Sequence, residues 1–185
     1  RYGATATAAT RAAIQAAHAA GAIILLHHHA GNPVTGALSA EGTLSTFNNP
    51  FGQAGDTGNV YDRSGSPLAA IKTGGGQEAQ FLAYLDRLAT FIASLTDAGG
   101  NLIPVIWRPF HEVNGAWFWW GGTDRASDFI LVWRKMVDYL RDTKGLANVL
   151  YCWNVSGAQG SIGSFWPGPT YVDIISLDVY DNTAN

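Results

Sequence analysis

Residues 77–122 read QEAQFLAYLDRLATFIASLTDAGGNLIPVIWRPFHEVNGAWFWWGG, and three segments separate within them. Phe81, Tyr84, Leu85, Leu88, Phe91, Ile92 and Leu95 recur at helical spacing. Gln77–Asp97 is therefore expected to be a helix with one apolar face, ended by Gly99-Gly100. Leu102–Trp107 is a short apolar run of the kind that forms a buried strand. The polar and aromatic residues that follow, up to Gly122, read as the loop leaving that strand. A helix, a buried strand and a loop dense in functional groups make up the repeating unit of a parallel α/β fold.

The same unit extends in both directions. Upstream, alanine-rich residues from about Ala4 to Ala20 predict a helix stopped at Gly21, and Ala22–His28 predicts a buried strand. Residues 30–76 are rich in Gly, Asn, Ser and Pro and are expected to be a long irregular stretch, either functional or disordered. Downstream, Thr123 is a plausible N-cap for a helix with the stripe Ile130, Trp133, Val137 and Leu140, closed by Gly145. Val149–Val155 and Val172–Tyr180 are two further strands. The alternation predicts the α/β class, a parallel sheet with helices outside, either doubly wound or barrel. No Gly-rich dinucleotide fingerprint follows any strand, so a dinucleotide-binding Rossmann domain has no support.

Composition narrows the function. The 185 residues suffice for one domain with a sizeable core, and a net charge of −3 lacks the basic footprint of a nucleic-acid partner. No apolar run approaches the roughly 18–20 residues that cross a bilayer. The single cysteine, Cys152, cannot form an internal disulfide. Seven tryptophans are many for this length. An indole face stacks on a pyranose ring, yet it is also a good core residue, and most of the seven are expected in the core.

Each expected strand is apolar until its C-terminal end, where polar or aromatic groups appear: His27, His28 and His29; Arg108, His111 and Glu112; Trp153 and Asn154; Asp178 and Tyr180. Active sites of (β/α) barrels are built from such positions, although strand ends are also simply where polar residues resume. Alternation puts His27 and His29 on one face and His28 on the other. Three histidines are costly to satisfy in a core, so at least one is expected to face the cleft.

Residues 108–121 place a carboxylate after a histidine, then an amide, then an aromatic cluster. A glycosidase needs a carboxylic acid that remains protonated near neutral pH, which a poorly hydrated aromatic surrounding favours. Glu112, followed by Trp117, Phe118 and Trp119, fits that role; the alternative is a structural Glu112 paired with Arg108.

The run from Arg108 to Gly121 resembles the acid/base region of glycoside hydrolase family 26, mostly β-mannanases, with lichenase and β-1,3-xylanase members. Residues 29–36 resemble that family's H-x-x-N-P-x-T-G segment. Tyr171-Val172-Asp173 resembles its Y-V-D run, and residues 177–180 its L-D-x-Y strand end. The resemblance covers nearly all of residues 22–180 and implies part of a (β/α)₈ TIM barrel, with about four of eight strands present. It implies a retaining hydrolase of β-1,4-mannan with Glu112 as general acid/base. His29, His111 and Trp117 would line the sugar subsites, Tyr180 would position the nucleophile, and Asp178 would support the site. Arg108 and Asn114 match the motif and are also taken as substrate-binding. His27 and His28 depart from the family, which commonly has Trp immediately before His29.

A retaining enzyme needs a second carboxylate, and the chain has three glutamates, Glu41, Glu78 and Glu112. The family's nucleophile lies on a strand after the L-D-x-Y strand. Residues 1–185 are therefore expected to be one partial catalytic domain, truncated at both ends, without the nucleophile and inactive by itself. The expected partner is a polysaccharide, handled by a secreted protein that is monomeric when full length. No cofactor, metal, nucleic acid or membrane is expected. Two readings from other classes compete: a non-catalytic sugar-binding protein on the same scaffold, and a metal-dependent barrel hydrolase using His27, His29, His111 and Asp178.

Overall fold

A computed structural model of the chain describes residues 4–35, 60–157 and 161–180. The alanine-rich segment forms α1 (Ala4–Ala19), followed by β1 (Ile24–His27). Next come α2 (Pro67–Ile71), α3 (Glu78–Ala93), β2 (Val105–Arg108), α4 (Ala126–Asp138), β3 (Val149–Ser156) and β4 (Ile174–Asp178). A π-helical turn, Tyr139–Thr143, prolongs α4, and two 3₁₀ turns, Ile162–Phe165 and Pro169–Tyr171, lie between β3 and β4.

The strands form one parallel sheet in the order β1-β2-β3-β4. A doubly wound sheet grows in both directions from its first strand and reverses its order. Strict sequential neighbours are the wall of a (β/α) barrel, which decides between the two predicted architectures.

Residues paired in register on parallel strands point to the same face. One face carries Val105, Trp107, Tyr151, Trp153 and Val155 and packs beneath α3 and α4, against Phe81, Leu85, Phe129 and Trp133. This is the core. The other face carries Leu25, Ile106 and Leu150 toward one end of the strands, and His27, Arg108, Asn154 and Asp178 toward the C-terminal end.

Several boundaries differ from the sequence expectation for local reasons. The helix predicted to Asp97 stops at Ala93, because the Ser94 hydroxyl donates back to the Phe91 carbonyl (2.6 Å) and Asp97 accepts from the Gly99 and Asn101 N–H groups in a tight turn. β2 starts at Val105, three residues late: Pro104 has no N–H to place in a ladder. Leu102 instead bridges antiparallel to Thr96. Thr123 is not an N-cap. It opens a 3₁₀ turn, Thr123–Arg125, after Gly122 at φ 101°, and α4 begins at Ala126. The α4 stripe is wider than predicted, with Phe129, Val132 and Met136 buried, while Ile130 is only partly covered. The irregular 30–76 stretch contains α2, and its residues 36–59, including Glu41, lie outside the described residues.

Candidate active site

The loop leaving β2 makes an unusual path. Phe110 and Glu112 have φ of 49° and 53°, in the left-handed region that costs a non-glycine residue on the order of 1 kcal/mol or more. The path is held by hydrogen bonds on both sides of Glu112. Trp120 Nε1 donates to the His111 carbonyl (2.9 Å), and the Glu112 N–H donates to Asn154 Oδ1 (2.7 Å). Asn114 and Ser156 exchange two bonds: Asn114 Nδ2 donates to the Ser156 carbonyl (2.8 Å), and the Ser156 N–H donates to Asn114 Oδ1 (2.7 Å). The loop is thereby docked on the end of β3. Trp119 Nε1 ties it to the exit of β1 through the Ala30 carbonyl at 2.7 Å. Glycine is required at two close approaches. A Cβ on Gly115 would lie 2.3 Å from the Trp117 ring, and one on Gly121 would lie 2.1 Å from the Gly115 carbonyl oxygen.

Glu112 is 5 % exposed, at the C-terminal end of the sheet. Each carboxylate oxygen has one donor: Trp117 Nε1 to Oε2 at 2.9 Å, and the Tyr180 hydroxyl to Oε1 at 3.1 Å. Donating this bond to the carboxylate pushes the Tyr180 hydroxyl pKa above its ordinary value. The alternative pairing of Glu112 with Arg108 is not formed. Arg108 instead pairs with Asp178, whose other oxygen accepts from Asn154 Nδ2 at 3.0 Å. No ion pair to Glu112 exists among the described residues.

The histidines divide as alternation predicts. His28 is buried on the helix side, where its Nδ1 lies 2.9 Å from the Tyr84 hydroxyl. His27 and His29 lie with His111 on the other side; the His27 ring centroid is 5.7 Å from that of His29 and 5.8 Å from that of His111, and the last two are 4.5 Å apart. The Nε2 atoms of His29 and His111 are 3.1 Å apart, so one ring donates to the other and at least one is neutral there. Burial, then the neighbouring His29 and Arg108 charges, pushes the His111 pKa down to about 2. His27 and His29 are lowered chiefly by burial. Phe118 packs edge-on against both His29 (5.4 Å) and His111 (4.9 Å).

The structure therefore brings Glu112, Trp117 and Tyr180 together, places His29 with His111, and joins Arg108 to Asp178. Asn114, expected to touch substrate, lies against the end of β3. It is 6 % exposed, and both ends of its amide bond the Ser156 backbone. Tyr180, expected to bond a nucleophile, bonds Glu112. The indoles of Trp107, Trp119, Trp120, Trp133 and Trp153 are buried in the core, while Trp117 and Trp166 are only partly covered. Asn154 stands out in sequence only as a polar residue at a strand end. Its register opposite Ser176, two places before Asp178, is what links it to the site. Among the described residues no group of three or more His, Cys, Asp or Glu side chains is placed to hold a metal ion. No helix among them is long and apolar enough to cross a membrane.

The family model described as glycosyl hydrolase family 26 matches residues 13–185. A mannan endo-1,4-beta-mannosidase of Bifidobacterium adolescentis is 36 % identical over 131 residues, 68 % of this chain and 13 % of that protein. One from Bacillus subtilis is 35 % identical over 109 residues, 55 % of this chain and 29 % of that protein. Among solved structures, the catalytic domain of a family 26 endo-beta-1,4-mannanase from Bacillus sp. JAMB-750 superposes with a TM-score of 0.80 at 37 % identity, covering 98 % of this chain and 43 % of that one. The chain thus spans less than a third of these two curated relatives and less than half of the solved domain.

Proposed function

The chain belongs to glycosyl hydrolase family 26, and from that membership we propose that the whole protein is an endo-acting, retaining β-1,4-mannanase in which Glu112 is the general acid/base. The observation that carries the assignment is the setting of the Glu112 carboxylate. It is buried at the C-terminal end of a barrel sheet and has a neutral donor, Trp117 or Tyr180, on each oxygen. A carboxyl group without a cationic partner can be protonated without breaking an ion pair, which a group that must donate and then recover a proton requires.

In the proposed reaction Glu112 first gives its proton to the glycosidic oxygen as the bond to the sugar breaks. As a carboxylate it then deprotonates the water that releases the glycosyl-enzyme. Trp117, partly covered beside Glu112, offers an indole face to a sugar ring next to the scissile bond. His29 and His111 offer ring edges to sugar hydroxyls on the same side of the sheet, and neutral rings can both donate and accept. The Arg108–Asp178 pair and Asn114 support these groups, and direct sugar contact is not proposed for Asn114.

The second carboxylate is proposed to come from outside the described residues. Glu78 is held on the helix side by Lys135 and the Gly74 N–H, and Asp178 is paired with Arg108. The described residues by themselves then lack the attacking group of a retaining enzyme. The substrates are polymers too large to enter a cell, so the protein is proposed to be secreted, and monomeric when full length.

The test is Glu112→Ala in the full-length protein, assayed on mannan and on an aryl β-mannobioside with a dinitrophenyl leaving group. Loss of an acid removes on the order of 10²–10⁴-fold of turnover where the leaving group needs a proton, and spares the first step where it does not. Equal losses of kcat/KM, which reports the first step, on both substrates refute the assignment. Binding of manno-oligosaccharide with no hydrolysis by the unaltered protein would favour a sugar-binding role instead.

A further inference from the structure

We propose that Asn154 is a positioning residue for the acid/base step, fixing where the Glu112 carboxylate points by holding its backbone in the left-handed conformation and locking that backbone to the Arg108–Asp178 ion pair. The inference rests on Glu112 being the acid.

Four contacts of Asn154 carry it. Its Oδ1 accepts from the Glu112 N–H at 2.7 Å, and its own carbonyl accepts from the Val113 N–H at 3.4 Å. Its Nδ2 donates to Asp178 Oδ1 at 3.0 Å and to Ser176 Oγ at 2.8 Å. The residue is 1 % exposed, so water does not stand in for any of these partners. The amide has one workable orientation. A backbone N–H demands the oxygen on one side, and a carboxylate demands the NH₂ on the other. Neither aspartate at neutral pH nor a hydrophobic residue meets both demands.

The consequence lies in backbone geometry. At φ 53°, Glu112 sits where a non-glycine residue is strained, and a surrounding contact must hold it there. Without the Asn154 acceptor, the Glu112 N–H is left buried and unbonded, and the ordinary negative-φ conformation becomes the better solution. That change swings the side chain off Trp117 and Tyr180. Asn114 and Ser156 hold the loop one residue pair further on, so the fold of the loop survives while the direction of the carboxylate does not. Among the described residues, the charged and titratable groups around the amide are Glu112, Asp178 and Arg108, with Tyr180 reaching Glu112 from beyond β4, His27 feeling the charges of Arg108 and Asp178, and the Cys152 thiol on the Ser176 hydroxyl.

The experiment compares Asn154→Ala, Asn154→Asp and Glu112→Ala in the full-length protein, on mannan and on the dinitrophenyl mannobioside. A misplaced catalytic group loses up to ~100-fold in kcat. Asn154→Ala is expected to lose that on mannan with KM changed less than about twofold, and to lose far less in kcat/KM, which reports the first step, on the activated substrate, the same split as Glu112→Ala at smaller amplitude. Asn154→Asp, isosteric with the native residue, covers the case in which the alanine variant does not fold. Its carboxyl mimics the amide only when protonated, so its mannan activity relative to wild type is expected to rise as pH falls from 7 to 5. Equal losses of kcat/KM for Asn154→Ala on both substrates, a change confined to KM, or a flat relative pH profile for Asn154→Asp overturns the proposal. If Glu112→Ala shows the split and the Asn154 variants do not, Asn154 alone is refuted; if Glu112→Ala shows none, the acid assignment falls and the proposal with it.

Discussion

The two faces of the sheet are made by alternate residues of the same short strands, yet their chemistry diverges. On the helix side, Val105, Trp107, Tyr151, Trp153 and Val155 lie under α3 and α4, and His28, against Tyr84, brings an ionisable ring to that side. On the opposite side, His27, Arg108, Asn154 and Asp178 occupy the C-terminal end, each within reach of another polar group. Burial is nearly complete at Asn154 and Glu112 as it is at Trp107, so burial by itself does not separate the two faces. The separation comes from what the buried groups touch. Dispersion and apolar area hold one face, while hydrogen bonds of fixed direction hold the other. The first arrangement specifies stability; the second specifies where a proton can go.

Substitutions on opposite faces should therefore fail differently. The largest effect is expected for Glu112→Gln, which keeps the shape and the Trp117 bond but removes the exchangeable proton. Mannan hydrolysis should fall by on the order of 10²–10⁴-fold with the thermal midpoint almost unmoved. A large drop in stability would erase the distinction between the faces. On the helix side, Trp107→Ala should cost about 3–5 kcal/mol in denaturant unfolding, by emptying a site packed beneath two helices. A well-tolerated Trp107→Ala would mean that this face is not the main source of stability.

The histidine cluster links the faces to pH. The folded protein keeps His111 neutral down to about pH 2, while the unfolded chain protonates it near 6.5. Between those values the unfolded state binds more protons, so stability is full above pH 6.5 and declines as pH falls. The slope approaches ~1.4 kcal/mol per pH unit for one such group. His27 and His29, also lowered, act in the same direction. Carboxylates such as Glu78 and Asp86 have ordinary values of 4.5 and 3.8 and are lowered further in the fold. A loss between pH 6.5 and 5 is accordingly a histidine effect, and unfolding curves of wild type and His111→Asn across that window should show it shrink in the variant. The smallest change is expected for Tyr180→Phe. Tyr180 is 69 % exposed, and loss of one hydrogen bond to Glu112 is worth about 1 kcal/mol, or less than about tenfold in mannan turnover. A much larger loss would place Tyr180 in contact with the reacting groups, as the resemblance alone suggests.

How far the sequence could be read followed the range of each interaction. The alternation of helix and strand, the apolar face of α3 and the opposite facing of His28 and His29 depend on neighbours a few residues away. All were legible. The helix end at Ala93 and the late start of β2 were missed, although Pro104 and Asp97 carried the local signal. The partners inside the site were not legible. Arg108 stands four residues before Glu112, and an ion pair between them was a reasonable alternative; it was lost to Asp178, 70 residues away. Asn114 matched a functional motif and proved to clasp the Ser156 backbone.

What the sequence determined by itself is the class of fold, the family and the identity of Glu112 as the distinctive carboxylate of residues 108–121, because spacing and residue order are local properties of the chain. The tertiary structure decided that the sheet runs sequentially as a barrel wall, that Arg108 belongs to Asp178, and that Asn154 grips the Glu112 backbone. Each of those depends on the register of β3 against β2 and β4. Register is set by the packing of whole strands under their helices, which no single segment contains.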